Sequence, residues 1–406
     1  MTLQLLTILT AAVGMALVAL THNAYPVYFM FAALLSLILI CYASSRLSPR
    51  ALACRREAAD RVFAGEPFKV TVELANRTRL PRFLLLARET LPEFVDSDHT
   101  SELVLPALWP REQVSMDYQA RARKRGIYSL GPLHLCTSDP FGLFQRSVPF
   151  ETSEEVVIYP RPLPLHGDLG RTGMEPTGSV MGERAVSSQS SLEFYSVREY
   201  QPGDEPRRIH WPATAHHSQL MVIEFDRGGA DSLVVILDAL RGTEFGQGVE
   251  TTLETAVTAA ASLIHWTLRN EGVAGLGADS ERGPLWLTAD SPEREHLMLE
   301  ALARVQANGT MPVSALLEWA TPRLPPGTTT CVITAAPDEG LPHAVTSLAE
   351  RQAQTAVLLV DAHSFDPRAS HSTEVMRLLA AAGALTARVR RGEDLAEALG
   401  RLLIAG

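Results

Sequence analysis

Between Arg198 and Trp211 the chain reads R-E-Y-Q-P-G-D-E-P-R-R-I-H-W, a run dense in groups able to make specific polar bonds. It holds the cations Arg198, Arg207 and Arg208, the acids Glu199 and Asp204, the aromatics Tyr200 and Trp211, and a Pro202–Gly203 turn. One use of such groups is a structural clasp. Arg198 or Arg207 would pair bidentately with Asp204 or Glu199, and Trp211 would fill a seam between domains. A second use is docking, because Arg, Tyr and Trp dominate the energetics of protein interfaces. A third is catalysis by Asp204, His210 and a serine such as Ser187 or Ser218. Their spacing imposes no triad geometry, and no G-x-S-x-G is present. His210, His216 and His217 offer metal ligands, but without an H-E-x-x-H pattern. No catalytic residue and no cofactor is assigned, and the chain is not expected to be an enzyme.

The bulk composition narrows the classes. A 406-residue chain of formal net charge −10 has room for two or three domains and lacks the clustered basic face that nucleic-acid phosphates require. Its two lysines, Lys69 and Lys124, have no Gly-rich loop before them, which excludes a Walker A site. Cys41, Cys54, Cys136 and Cys331 are far apart and match no zinc spacing; they suit a reducing compartment, with Cys136 and Cys331 read as small core side chains.

The elements around the dense run fall into distinct regions. Residues 3–20 and 27–43 are apolar and free of charge, each close to the length that spans a hydrocarbon core, which predicts a transmembrane hairpin over residues 1–45. A signal peptide would carry a basic start, and Met1–Thr10 has none. Tyr25 and Tyr28 stand at an interfacial position. Arg46, Arg50, Arg55, Arg56 and Arg61 follow the second run, and the positive-inside rule then puts the rest of the chain in the cytoplasm, on a multi-pass protein of the inner membrane.

Residues 55–160 predict a small β-sandwich. In Phe68–Leu74 the residues Phe68, Val70, Val72 and Leu74 alternate with Lys69, Thr71 and Glu73. Phe83–Leu86, Glu102–Leu105, Val114–Tyr118 and Val156–Tyr159 read as further strands. Asp139–Phe144 (D-P-F-G-L-F) reads as a tight turn that folds three apolar groups back on the core. Residues 161–191 form a Pro-, Gly- and Ser-rich linker, and residues 192–230 carry the dense run. From residue 231 to 406, apolar strands alternate with amphipathic helices. Leu233–Leu237 reads as a strand buried on both faces, and Glu250–Arg269 as a long helix. The expected architecture is an open, mostly parallel sheet with helices on both faces.

These features together resemble the bacterial family known as domain of unknown function 58. The resemblance rests on the N-terminal apolar hairpin, on Arg125, Gly126 and Tyr128, on Asp139–Leu143, and on Arg198, Tyr200, Pro202, Gly203, Asp204, Arg207, Ile209 and Trp211. It implies a C-terminal domain like von Willebrand factor A and an adaptor role beside a MoxR-type AAA+ ATPase. Such a domain, where it holds a metal, uses D-x-S-x-S after its first strand. Here that place reads Asp238-Ala239-Leu240-Arg241-Gly242, and a later strand end reads Thr334-Ala335, with Asp338 further on. With both serines and the second carboxylate missing, the metal site is expected to be degenerate. The expected function is a membrane-anchored cytoplasmic scaffold that binds protein partners through the dense run and the C-terminal domain. The alternatives are a metal-dependent binding module and an uncharacterised hydrolase.

Overall fold

The computed structural model describes residues 3–22, 25–47, 52–97, 102–139, 141–150, 153–165, 193–199, 214, 220–226, 232–325, 327–351, 354–369 and 372–404. The chain divides into two compact units, Met1–Pro160 and Arg161–Gly406.

Unit one opens with α1 (Leu3–His22) and α2 (Tyr25–Leu47), which pack along each other. Pro26 stands in the first turn of α2, where its missing N–H costs nothing. Side chains such as Leu17, Leu20, Phe29 and Leu39 point outward, an inversion of the soluble-protein pattern. The stretch Tyr25–Arg46 is long and apolar enough to cross a membrane by length and composition. Leu5–Thr21 is a shorter apolar helix, so length supports one crossing among the described residues rather than the two expected.

Among the described residues eleven strands follow: β1 (Leu52–Ala58), β2 (Arg61–Phe63), β3 (Pro67–Asn76), β4 (Arg82–Glu89), β5 (Val95–Ser97), β6 (Glu102–Leu108), β7 (Gln113–Ala122), β8 (Gly126–Leu130), β9 (Leu133–Ser138), β10 (Gln145–Phe150) and β11 (Glu154–Tyr159). They form sheets ordered β1-β3-β7-β5, β10-β9-β4-β6 and β2-β11-β8. Phe68, Val70, Val72 and Leu74 of β3 share one core with Leu85 and Ala87 of β4, Leu133 and Leu135 of β9, and Ile158 of β11. This alternation buries one face of each strand.

Inside that core lies a buried ion pair. Arg56 Nη2 of β1 is 2.5 Å from Glu89 Oε1 of β4, and Arg56 Nη1 donates to the Leu130 carbonyl at 2.6 Å. Burial, with the Glu89 carboxylate nearby, pushes the Tyr118 hydroxyl well above its usual range.

The Asp139–Phe144 turn differs from expectation. Leu143 is buried, but against Leu5 of α1 and Cys41 of α2 rather than in the strand core. Phe144 stacks edge-on against Tyr42 with centroids 5.6 Å apart, and Phe141 faces outward. Asp139, itself buried, shapes the loop: its carboxylate accepts the Phe141 and Phe144 N–H groups at 3.0 and 2.6 Å. An aspartate that satisfies its own turn leaves the apolar side chains free to find a separate neighbour.

In unit two, β12 (Glu193–Glu199) pairs antiparallel with β13 (Met221–Asp226). Then come β14 (Ser232–Leu237), β15 (Gly246–Gln247), β16 (Glu250–Thr251), α3 (Thr252–Arg269), β17 (Val273–Ala278), β18 (Leu285–Ala289) and α4 (Glu295–Arg304). After them lie α5 (Val313–Ala320), β19 (Thr329–Thr334), α6 (Leu341–Ala349), β20 (Thr355–Val360), α7 (Ala362–Phe365), α8 (Thr373–Ala381), β21 (Leu385–Val389) and α9 (Leu395–Ile404). The main sheet has the order β18-β17-β14-β19-β20-β21. All neighbours pair parallel except β17 and β18, which are antiparallel. Val234 and Ile236 pack into a cluster with Leu316 and Leu317 of α5 and Val345 of α6. The alternate residues Leu233, Val235 and Leu237 are equally buried, so the apolar run is covered on both faces. The long helix begins at Thr252, two residues later than expected, because the Thr251 hydroxyl caps it by accepting the Glu254 N–H at 3.2 Å.

Candidate functional site at the carboxyl edge of the sheet

The strands β14, β17 and β19 end side by side; Asp238 and Asp279 follow β14 and β17 at once, and β19 ends on Thr334. Parallel α/β sheets place their sites at this edge. Continuous apolar strands force it, since the first polar residue after each run comes where the strand leaves the core.

Asp238 is held from three sides. Its N–H donates to the Ile333 carbonyl at 2.9 Å, Oδ1 accepts the Leu240 N–H at 3.0 Å, and Oδ2 accepts the Thr334 hydroxyl at 2.6 Å. The Thr334 oxygen in turn accepts the Ala336 N–H at 3.1 Å. Burial raises the Asp238 pKa; the two hydrogen bonds oppose that shift, and the Asp338 charge adds to it.

Asp279 ties down the loop before α5. Its Oδ2 accepts the N–H groups of Thr310 and Met311 at 2.6 and 2.8 Å. Gly309 lies against the turn after Asp238: its N–H donates to the Ala239 carbonyl at 2.8 Å and its carbonyl accepts from Arg241 at 3.0 Å. A Cβ at Gly309 would stand 2.8 Å from the Ala239 oxygen and 3.1 Å from Asp279 Oδ2, so this close approach needs glycine. Asp338 faces the start of α5, where it accepts the Ser314 N–H at 3.1 Å and the Ser314 hydroxyl. A carboxylate there complements the helix N-terminus.

Three carboxylates therefore hold loops, each through neutral donors. The donor set does not fit a hard divalent ion. Positions 240 and 242 are Leu and Gly, without side-chain oxygen, and the Thr334 hydroxyl is committed to Asp238. Asp338, the nearest substitute carboxylate in sequence, turns to Ser314 instead. Arg241 stays exposed, 3.9 Å from Glu281. Among the described residues no three His, Cys, Asp or Glu side chains gather as a metal cluster.

The sequence pointed to Asp238 and Thr334 but missed Asp279, Gly309 and Ser314. An Asp directly after the short β17 run was the available signal for Asp279. Of the dense run, Arg198 lies on β12, its backbone opposite Val222. Tyr200, Gly203, Asp204, Arg207, Arg208 and Trp211 lie outside the described residues, as do His210, His216, His217, Ser187 and Ser218.

The chain is 26% identical over 318 residues to "Uncharacterized protein YeaD" of Bacillus subtilis (strain 168), covering 77% of this chain and 76% of that one. Among solved structures, the SpRpn10 VWA domain aligns at 11% identity with a TM-score of 0.32, covering 43% of this chain and 97% of that chain. Proximal thread matrix protein 1 from the mussel byssus aligns at 10% identity with a TM-score of 0.32, covering 43% and 47%. Residues 196–366, which span the dense run and the edge carboxylates, match the family described as "Protein of unknown function DUF58".

Proposed function

We propose that the protein is a membrane-anchored adaptor whose soluble part lies in the cytoplasm and binds other proteins. The observation that carries this reading is the closed character of the carboxyl edge. Asp238, Asp338 and Oδ2 of Asp279 are engaged by backbone and hydroxyl donors, an arrangement suited to a fixed surface rather than to reacting atoms. The apolar stretch Tyr25–Arg46 supports the anchor, with α1 as a second, shorter crossing beside it in a two-helix hairpin. In this reading the C-terminal unit is a von Willebrand A-like interaction domain without a resident metal. Arg198, Tyr200, Gly203, Asp204, Arg207, Arg208 and Trp211 form the contact segment, and the partner is an AAA+ ATPase of the MoxR type. Arg, Tyr and Trp are the side chains that dominate such contacts.

The test is affinity capture of the full chain from solubilised membranes together with the ATPase. Arg207→Ala and Trp211→Ala are expected to lose the ATPase while keeping the unfolding transition of the parent. Normal capture by both variants would remove the segment from the interface. A reporter fused after Gly406 should read cytoplasmic.

A further inference from the structure

One end of the β domain in unit one carries features that the adaptor reading leaves unused. The register fixes which loops share that end. Ser138 at the end of β9 is opposite Gln145 at the start of β10, Leu85 near the start of β4 is opposite Thr137, and Arg82 is opposite Leu108 at the end of β6. The loops 77–81, 109–112 and 139–144 therefore leave the same edge. In the other sheet Leu52, the first residue of β1 and the first described after α2, is opposite Asn76. Asn76 binds two of these loops together: its side-chain amide donates to the Leu80 and Leu108 carbonyls at 2.9 and 3.0 Å, and its backbone carbonyl accepts the Arg111 N–H at 2.9 Å. The third loop is seated on the hairpin through Leu143 and Phe144.

These ordered loops hold large apolar side chains outward. Leu80 is 60% exposed, Trp109 59% and Phe141 60%. Arg77, Arg79 and Arg111 are exposed around them, and Arg46 lies at the adjoining end of α2. Of the acids on these loops, Glu112 is turned back to accept the Trp109 N–H at 2.6 Å, and Asp139 is buried with its carboxylate accepting the Phe141 and Phe144 N–H groups. The opposite end of the domain differs: there Arg123 pairs with Asp96 at 2.8 Å and Lys124 lies over the Phe94 ring. Aromatic and aliphatic tips ringed by arginine, beside the end of a membrane-crossing helix, match the interfacial layer of a bilayer in both polarity and charge.

We infer that this end of the β domain docks on an anionic phospholipid surface. Leu80, Trp109 and Phe141 enter the interfacial layer, and Arg77, Arg79 and Arg111 bind headgroup phosphates. The inference rests on the membrane reading of α2 and adds to it a fixed stance of the domain on the lipid.

The test uses the full chain in nanodiscs of phosphatidylglycerol and phosphatidylcholine, with bromine carried high on the acyl chains. The fluorescence lost between parent and Trp109→Phe isolates Trp109. That component should be quenched by brominated lipid, and the quenching should be lost in the combined variant Arg77→Glu, Arg79→Glu, Arg111→Glu. Trp109 emission indifferent to bromination would overturn the proposal. Alkaline carbonate extraction of native membranes separates the two readings. A chain that stays in the membrane with Trp109 unquenched defeats docking alone. A chain that is extracted, yet shows quenched Trp109 on added anionic vesicles, upholds docking and defeats the anchor.

Discussion

The strand core of unit one and the carboxyl edge of unit two both bury carboxylates, and they neutralise the cost in opposite ways. In the strand core Glu89 meets a full countercharge, Arg56, across the sheets at 2.5 Å. At the carboxyl edge Asp238 and Asp279 meet only N–H and hydroxyl groups. The ion pair locks two sheets to each other, and removing one half strands the other charge in an apolar medium. The edge carboxylates instead fasten loops to strand ends, and their neutral donors find water when released. The contrast teaches that a buried charge in this chain marks the joint it holds, and that the cost of losing it depends on what is left behind.

The sharpest way to break the comparison is Glu89→Ala. It should cost about 3–5 kcal/mol by denaturant unfolding, and the double variant Arg56→Met, Glu89→Leu should recover most of that loss. A double variant as weak as the single one would mean that the pair matters for its shape rather than its charge. Next in size is Gly309→Ala, expected to cost about 1–3 kcal/mol because the added methyl meets a backbone oxygen that has nowhere to move. Asp279→Ala should cost about 1–2 kcal/mol and speed hydrogen exchange at Thr310 and Met311, since exposure at Thr310 lets water replace part of what is lost. The smallest effect is expected for Asp238→Asn. A raised pKa means that the folded state holds its proton more tightly than the unfolded one. The stability from Asp238 is thus complete below the unfolded carboxyl value of about 4 and declines as pH rises through the folded value. The asparagine variant, which can donate to Thr334 and accept from Leu240, should lose that decline. Melting temperatures of the two proteins from pH 4 to 8 should diverge upward in favour of the variant, and parallel curves would contradict the sign.

Much of the scaffold could be read before any coordinates, wherever burial follows a simple period. Leu233–Leu237 is apolar throughout because both faces of β14 are covered, and β3 alternates because only one face is. The failures share a cause. β1, L-A-C-R-R-E-A, has a charged composition, and nothing local says that Arg56 turns inward to a partner on another sheet. Phe141 and Leu143 look alike in sequence, yet one points out and the other enters the helix pair, a choice made by Asp139 and by neighbours far along the chain. At the edge, Asp238 was visible from its place after a buried strand. Gly309 was not, because its role is a backbone contact with Ala239 that no local pattern encodes.

The outer margin of the large sheet has its own consequence. β21 is short and pairs only with β20, which leaves one row of its peptide groups without a strand neighbour among the described residues. Its fourth residue, Arg388, is exposed there. A second copy trying to zip onto this strand would have to strip water from that guanidinium. A charge placed there opposes the stitching of sheets from separate molecules into fibres.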